Sequence, residues 1–98
     1  MSGEIFRDLT AFITIARHRS FTRAAAELGV SQSALSHAIR NLEERIGLRL
    51  LIRTTRSVSP TEAGKRLLER VSPRLDTIAR ELTSVRDLRA LLNKSDFG

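Results

Sequence analysis

The chain has 98 residues and a formal net charge of +6, with 17 Lys and Arg residues against 11 Asp and Glu residues. This length predicts one domain, or one small domain with an extension, and the basic excess favours either a polyanionic partner or a solvated charged surface. The lack of Cys excludes disulfides and thiolate metal sites. No apolar run reaches the roughly 18 residues of a membrane helix. The N-terminal sequence MSGEIFRDLT lacks the apolar region of a signal peptide, so a cytoplasmic protein is expected.

A first helix is predicted over about residues 5–18, because apolar residues recur there at spacings of three and four. Its predicted core residues are Ile5, Phe6, Leu9, Phe12, Ile13 and Ala16. His18, at the end of this helix, is expected to interact with the helix dipole as a cation. His18 and His37 fall on different predicted helices without ligand-spaced carboxylates, so no metal site is predicted.

Two short amphipathic helices follow, over about residues 22–28 and 32–46. Thr22 fits the N-cap of the first helix, and Gly29 suits the left-handed residue that ends it. Ser31 is expected to cap the second helix, which stops at Gly47. Two helices joined by about three residues form the layout of a helix-turn-helix.

This helix pair is predicted to have one buried face and one polar face. The buried seam consists of Ala25, Leu28, Val30, Leu35, Ile39, Leu42 and Ile46. The outward set consists of Ser31, Gln32, Ser33, Ser36, His37 and Arg40. Short polar side chains let a helix enter the major groove, and Gln can pair bidentately with adenine. The polar face therefore predicts a helix end placed against the floor of a DNA groove.

A short β-hairpin is predicted over residues 48–59, where the apolar period changes. Apolar residues of the first strand are expected to meet Val58 across a tip at Thr54-Thr55, and these residues are Leu50, Leu51 and Ile52. Arg53 and Arg56 flank this tip. An arginine at a hairpin tip suits a narrow minor groove.

Arginines are concentrated in one part of the chain. Residues 17–56 contain eight Arg and three Glu, so five of the six excess positive charges lie there. Arg matches the geometry of phosphate better than Lys does. A solvated charged surface is the alternative interpretation of this cluster.

A long helix is predicted over residues 60–92. Its cap is either Ser59, in a capping box with Pro60 at the first helical position, or Thr61. Its apolar seam is close to a heptad pattern and consists of Leu68, Val71, Leu75, Ile78, Leu82 and Val85. Pro73 lies inside the helix and is expected to bend it. We expect a second copy of the chain to cover the seam; the alternative is that the seam folds back on the first helix.

Over about residues 6–90 the chain resembles the LysR-type transcriptional regulators. The residues that carry the resemblance are Ser20 to Ala25 (SFTRAA), Leu28, Val30 to Ser36 (VSQSALS), Ile39, Leu42-Glu43, Gly47, Leu50, Arg53 to Arg56 (RTTR), Val58, Thr61 and Ala63-Gly64. The resemblance implies a mainly α winged helix-turn-helix, with a three-helix core, a short β-hairpin wing and a long C-terminal linker helix. Residues 1–59 would form the DNA-binding domain, 60–92 the linker and dimerisation helix, and 93–98 a flexible tail.

The resemblance also implies roles for individual residues. Base contacts would come from Gln32, Ser33, Ser36 and His37, wing contacts to the minor groove from Arg53 and Arg56, and phosphate contacts from Thr22, Arg23, Ser31 and Arg40. His37 departs from the family pattern, which often has Arg there, and Ser33 replaces a frequent Pro.

The implied function is sequence-specific binding of double-stranded DNA. A homodimer, paired through its linker helices, would bind an inverted-repeat promoter site in the bacterial cytoplasm, at the nucleoid. The family's small-molecule inducer binds a C-terminal domain that lies beyond this chain, so we expect either a separated DNA-binding domain or a short family member, with no cofactor. An enzyme is not expected, because no nucleophile, base and orienting group occur together. The alternative is a helical protein-interaction or dimerisation module whose basic face only keeps it soluble.

Overall fold

The computed structural model describes residues 3–95, and the side chains of residues 4–93. The elements are α1 (Gly3–His18), α2 (Phe21–Leu28), α3 (Gln32–Ile46), β1 (Leu51–Arg53), β2 (Val58–Pro60) and α4 (Glu62–Ser95). Three helices pack around one core, a two-stranded hairpin follows them, and a long helix ends the described residues. This architecture confirms the predicted winged helix-turn-helix with a long C-terminal helix.

The start of α2 differs from the prediction. Ser20, rather than Thr22, is the N-cap, because its Oγ accepts a hydrogen bond from the backbone N–H of Arg23 at 3.1 Å. The helix therefore begins at Phe21, whose ring is buried in the core. Gly29 ends α2 with a φ of 68°, as predicted.

The bounds of α3 agree with the prediction at both ends. Ser31 is the N-cap, and its Oγ accepts a hydrogen bond from the N–H of Ala34 at 3.0 Å. Gly47 ends the helix with a φ of 81°, a left-handed conformation that Gly adopts without a steric penalty. Polar residues and a glycine at these positions are local signals, and the tertiary contacts do not override them.

The core lies between α1, α2, α3 and the hairpin. Its buried apolar residues are Ala11, Phe12, Ile15, Phe21, Ala24, Ala25, Leu35, Ile39, Leu42, Leu50, Leu51 and Val58. The predicted burial of two seam residues was wrong. Val30 is 45 % exposed in the turn between α2 and α3, and Ile46 is exposed in the last turn of α3.

The buried face of α1 also differs from the predicted face. Phe6 is 48 % exposed, whereas Ile15, which was not in the predicted core, is fully buried. Asp8 and Thr14 also lie on the buried face. Because these two residues are polar, a prediction based on the spacing of apolar residues misplaces this face. The hydroxyl of Thr14 donates a hydrogen bond to the Thr10 carbonyl at 2.7 Å, which allows its burial.

The hairpin pairs β1 and β2 as antiparallel strands, with Ile52 opposite Ser59 and Arg53 opposite Val58. The connecting loop comprises the four residues 54–57 and not the predicted Thr54-Thr55 pair. Thr54 closes the loop, because its N–H donates to the Ser57 carbonyl at 2.9 Å and its Oγ1 accepts from the Ser57 N–H at 3.0 Å.

Thr61 is the N-cap of α4, which decides between the two predicted caps. Its Oγ1 accepts a hydrogen bond from the Gly64 N–H at 3.1 Å and donates one to the Arg49 carbonyl at 2.6 Å. Pro60 is the last residue of β2 and not the first residue of a helix, so the capping box at Ser59 is wrong.

The described residues divide into two compact units, the first ending at Leu68 and the second beginning at Glu69. Helix α4 continues as a helix past Pro73 and ends at Ser95, three residues after the predicted end of the linker. The rest of the predicted tail, residues 96–98, lies outside the described residues. The division into domains at residues 59 and 60 remains a prediction.

Candidate nucleic-acid interface

The four predicted base-contacting residues lie on one face of α3. Gln32 and Ser33 are the first two residues of the helix, and Ser36 and His37 follow one turn later. Residues three or four apart are neighbours on a helix surface. Gln32, Ser33 and His37 are exposed and Ser36 is half-buried. The structure therefore brings the predicted set together on an accessible surface at the N-terminal end of α3.

The N-terminal end of α3 is electrostatically suited to anions. The N–H groups of the first turn of a helix point outward and carry a partial positive charge. No acidic residue lies in the first turn of α3. The Oγ of Ser31 is already an acceptor for the Ala34 N–H, so a contact from Ser31 to phosphate would have to use its hydroxyl hydrogen.

The other predicted phosphate-contacting residues are accessible. Thr22 and Arg23 are exposed on the first turn of α2, and Arg40 is exposed on α3. Ser20 caps α2 through the backbone N–H of Arg23, so this cap does not depend on the Arg23 side chain.

The two predicted wing residues have different surroundings. Arg56 lies in the exposed loop of the hairpin. Arg53 is the last residue of β1, and its guanidinium carbon lies 3.7 Å from the centre of the Phe21 ring. Its Nη1 also donates a hydrogen bond to Ser36 Oγ at 3.4 Å. These contacts place the Arg53 guanidinium beside α3.

A cavity of about 340 Å³ lies between α3 and β1, with Arg40, Arg49 and Arg53 in its lining. Glu43 also lines the cavity, and its Oε2 accepts a hydrogen bond from the Leu50 N–H at 2.7 Å. The same oxygen is 3.8 Å from the Nε of Arg49. Arg49 was not among the predicted site residues. Its place in the arginine-rich window was the only sequence signal for it.

A second cluster connects the end of α1 to α2. The Nη2 of Arg17 lies 2.5 Å from Glu27 Oε2, and the Nε2 of His18 lies 2.7 Å from Glu27 Oε1. The hydrogen bond from His18, with a smaller contribution from Arg17, lowers the pKa of Glu27 below its ordinary 4.5. His18 therefore has a specific carboxylate partner, beyond its predicted interaction with the helix dipole.

Among the described residues, Asp8 is a second carboxylate with a shifted pKa. Its burial on α1 raises the pKa above the ordinary 3.8, and the charge of Glu4 adds to the rise. Arg45, Arg7 and His37 act in the opposite direction.

In the described part of the chain, no group of three or more His, Asp or Glu residues is arranged to hold a metal ion. No helix in that part is long and apolar enough to cross a membrane.

Comparison with known proteins identifies the family. Residues 6–65 match the family described as "Bacterial regulatory helix-turn-helix protein, lysR family". The chain belongs to the LysR family. The matched residues contain α2, α3, the hairpin and all the predicted DNA-contacting residues, so the family expected from the sequence is confirmed.

Relatives of this LysR-family chain are named as transcriptional regulators. It is 55 % identical over 89 residues to the HTH-type transcriptional regulator PgrR of Escherichia coli K12. The aligned residues cover 91 % of this chain and 30 % of PgrR. The chain thus spans less than a third of the length of this relative.

Solved structures share the fold of this LysR-family chain. A DNA complex of the BenM DNA-binding domain at catB site 1 has 32 % identity and a TM-score of 0.76, covering 83 % of this chain and 90 % of that one. A Corynebacterium glutamicum OxyR C206S mutant has 38 % identity and a TM-score of 0.77, covering 82 % of this chain and 25 % of that one. The roles of individual residues in DNA contact remain predictions.

Proposed function

We propose that this LysR-family chain binds double-stranded DNA in a sequence-specific manner and contributes to transcription regulation, without enzymatic activity. The observation that carries the proposal is the exposed polar face of α3, which holds Gln32, Ser33, Ser36 and His37 together at a helix N-terminus. The DNA complex of the similar BenM domain supports it. The proposed place of action is the bacterial cytoplasm, at the nucleoid.

The proposed contacts divide into three classes. Side chains on the polar face of α3 read base edges in the major groove, where each base pair presents a distinct pattern of donors and acceptors. Thr22, Arg23, Ser31 and Arg40 contact phosphates, which sets the register of the protein on the duplex. Arg56, in the exposed hairpin loop, reaches the adjacent minor groove, where a narrow groove attracts arginine.

The proposed active form is a homodimer on an inverted-repeat promoter site. Helix α4 carries an apolar seam in which Ile78, Leu82 and Val85 are exposed. Apolar residues at alternating spacings of three and four pack well against a second helix of the same pattern. Pairing of two copies through α4 would also give the two-fold symmetry that an inverted repeat requires.

Inducer binding is proposed to belong to a further domain of a longer protein. The chain covers only 30 % of PgrR. In this proposal the residues of the winged helix-turn-helix serve DNA contact, and the inducer acts on them through that further domain.

The proposal is tested by titration of fluorescent duplexes at two salt concentrations. The duplexes are one obtained by selection from random sequences and one of random sequence. We expect tighter binding to the selected duplex by roughly a thousandfold, and a steep loss of affinity with salt on both duplexes. Equal affinity for the two duplexes would contradict specific recognition. Dimerisation without salt-dependent DNA binding would instead support the protein-interaction alternative.

A further inference from the structure

Arg53 connects the hairpin to α3 through two contacts. Its guanidinium carbon lies 3.7 Å from the centre of the Phe21 ring, and its Nη1 donates to Ser36 Oγ at 3.4 Å. Phe21 is only 5 % exposed and belongs to the core. The guanidinium therefore rests on a ring that close packing holds in place, an arrangement that is favourable for Arg because its planar group stacks on aromatic faces.

The contact with Arg53 restricts the hydrogen bonding of Ser36. A serine hydroxyl has one donor hydrogen and can accept through its lone pairs, whereas a guanidinium has only donors and a permanent positive charge. The oxygen of Ser36 therefore accepts on the side of Arg53. Its O–H remains to donate, and the adjacent positive charge strengthens it as a donor and opposes the approach of a second donor to the remaining lone pair. Ser36 lies among the residues of the polar face of α3, so this donor is available to a ligand there.

We propose that Arg53 is a positioning residue that presets Ser36 as a hydrogen-bond donor, so that α3 selects a base with an acceptor at the position facing Ser36. Adenine N7, guanine N7 and O6, and thymine O4 are acceptors in the major groove. Cytosine presents only its N4 amino donor there. The protein therefore disfavours cytosine in the strand that faces Ser36. This inference rests on the proposed DNA-binding function.

The proposal gives Arg53 a different role from Arg56. Arg56 lies in the loop 54–57, whereas the Arg53 side chain is directed to Phe21 and Ser36. A direct contact between Arg53 and the DNA would weaken binding in a different way when lost. Loss of a direct phosphate contact would lower affinity for all sequences alike, and loss of the predicted minor-groove contact would alter the preference at the base pairs beside the wing. Loss of positioning instead changes the preference at the base pair that faces Ser36.

The test compares selection from random duplexes for the wild-type chain and for Arg53→Lys, which keeps the charge and removes the planar fork. The wild type is expected to disfavour cytosine at one position by about fivefold, the factor that one net hydrogen bond of about 1 kcal/mol gives. In Arg53→Lys this preference is expected to fall below about twofold, with the other positions and the salt dependence unchanged. Ser36→Ala should lose the same preference, and adding Arg53→Lys to it should cause no further loss.

Arg49→Lys is the matched control. Arg49 lines the same cavity, but its guanidinium lies near Glu43. This variant is expected to keep the wild-type preference at every position. If Arg49→Lys lost the cytosine discrimination as well, a general disturbance of the cavity, and not the contact of Arg53 with Ser36, would be responsible and the proposal would be overturned.

A measurement without DNA tests the stacking itself. Protons of the Arg53 side chain that lie over the Phe21 ring should be shifted upfield in the NMR spectrum of the free chain, and Phe21→Leu should remove the shift. Ordinary chemical shifts for these protons in the wild type would overturn the proposal. Thermal unfolding of each variant establishes that it is folded at the temperature of the binding measurements.

The outcomes separate this inference from the proposed function. A wild-type chain that selects no sequence from the random pool contradicts both. A wild-type chain that selects a sequence, together with an Arg53→Lys variant that selects the same sequence equally strongly, contradicts only the role of Arg53. A uniform loss of affinity in Arg53→Lys, with unchanged base preference, also contradicts that role and identifies Arg53 as a DNA contact.

Discussion

Gln32 is the first residue of α3 and is exposed on the polar face. Its amide can pair with the N6 and N7 edge of adenine, so Gln32→Ala is expected to cost roughly 1–3 kcal/mol on the selected duplex and to relax the preference at one base pair. Binding of the variant to selected and random duplexes measures both effects. An equal loss on the two duplexes would be incompatible with base reading by Gln32.

Arg23 is expected to behave differently from Gln32. Its exposed side chain is proposed to contact phosphate, so Arg23→Ala should weaken binding to all duplexes alike and lower the slope of log affinity against log salt by about one. The Ser20 cap uses only the backbone N–H of Arg23, so α2 should keep its start. A loss confined to the selected duplex would refute the phosphate contact.

The ion-paired carboxylate Glu27 predicts a pH dependence of stability. Its pKa is lowered below 4.5, chiefly by the hydrogen bond from His18. The stabilisation is therefore present above about pH 4.5 and is lost as the pH falls through the lowered pKa. Glu27→Gln should lower the melting temperature at pH 7 and have little effect below that pKa. Melting curves at several pH values measure this, and a loss that is the same at all pH values would contradict the ion pairs.

Asp8 provides the comparison for Glu27, because burial raises its pKa above 3.8. For a raised carboxyl pKa, stability is greatest below the unfolded-state value and falls as the pH rises through the folded-state value. Asp8→Asn should remove that fall, so its effect has the opposite sign to the effect of Glu27→Gln.

At the scale of elements, Gly64 fixes how α4 begins. A Cβ on Gly64 would lie 2.2 Å from the carbonyl oxygen of Leu50, so the first turn of α4 contacts backbone directly. Gly64→Ala is expected to destabilise the fold by about 1–3 kcal/mol, although Ala is usually the better helix former. Thermal unfolding measures the loss. Lys65→Ala, at the next, exposed position, is the control and should be nearly neutral; an equally stable Gly64→Ala would contradict the close approach.

The sequence predicted those elements whose signals are local. The bounds of α3 follow from Ser31 and Gly47, and the structure keeps both. The sequence did not decide between Ser59 and Thr61 as the cap of α4. The hydroxyl of Thr61 also donates to the Arg49 carbonyl, twelve residues away, and local sequence does not reveal such a contact. The predicted two-residue hairpin loop was also wrong. The loop has four residues and is closed by a hydrogen bond to the Thr54 side chain, so it does not follow the pattern of a common two-residue turn.

The candidate site was predictable to a similar degree. Helical periodicity places Gln32, Ser33, Ser36 and His37 on one face, and the structure brings them together. The contacts of Arg53 with Phe21 and Ser36 were not predictable, since they join parts of the chain that only the tertiary fold brings near. No periodic pattern records such a contact.

At the scale of the whole molecule, the exposed seam of α4 predicts assembly. Leu82 is 68 % and Val85 65 % exposed, and burial of such side chains against a second copy would be favourable. Leu82→Asp is expected to shift the chain from dimer to monomer in sedimentation experiments and to weaken binding to an inverted repeat more than to a single half-site.

The control for Leu82→Asp adds the same charge beside the seam. Thr83 is exposed on α4 at a position outside the predicted seam, so Thr83→Asp should remain dimeric. A wild-type chain that sediments as a monomer at micromolar concentration, or a Leu82→Asp variant that stays dimeric, would contradict pairing through this seam.

A structure of the chain bound to its selected duplex tests most directly whether the start of α3 reads bases. We expect this helix end to lie in the major groove, with Gln32 and Ser36 within hydrogen-bond distance of base edges and Arg56 in the neighbouring minor groove. A complex in which the polar face of α3 is turned away from the duplex, with the DNA held by another surface, would contradict it.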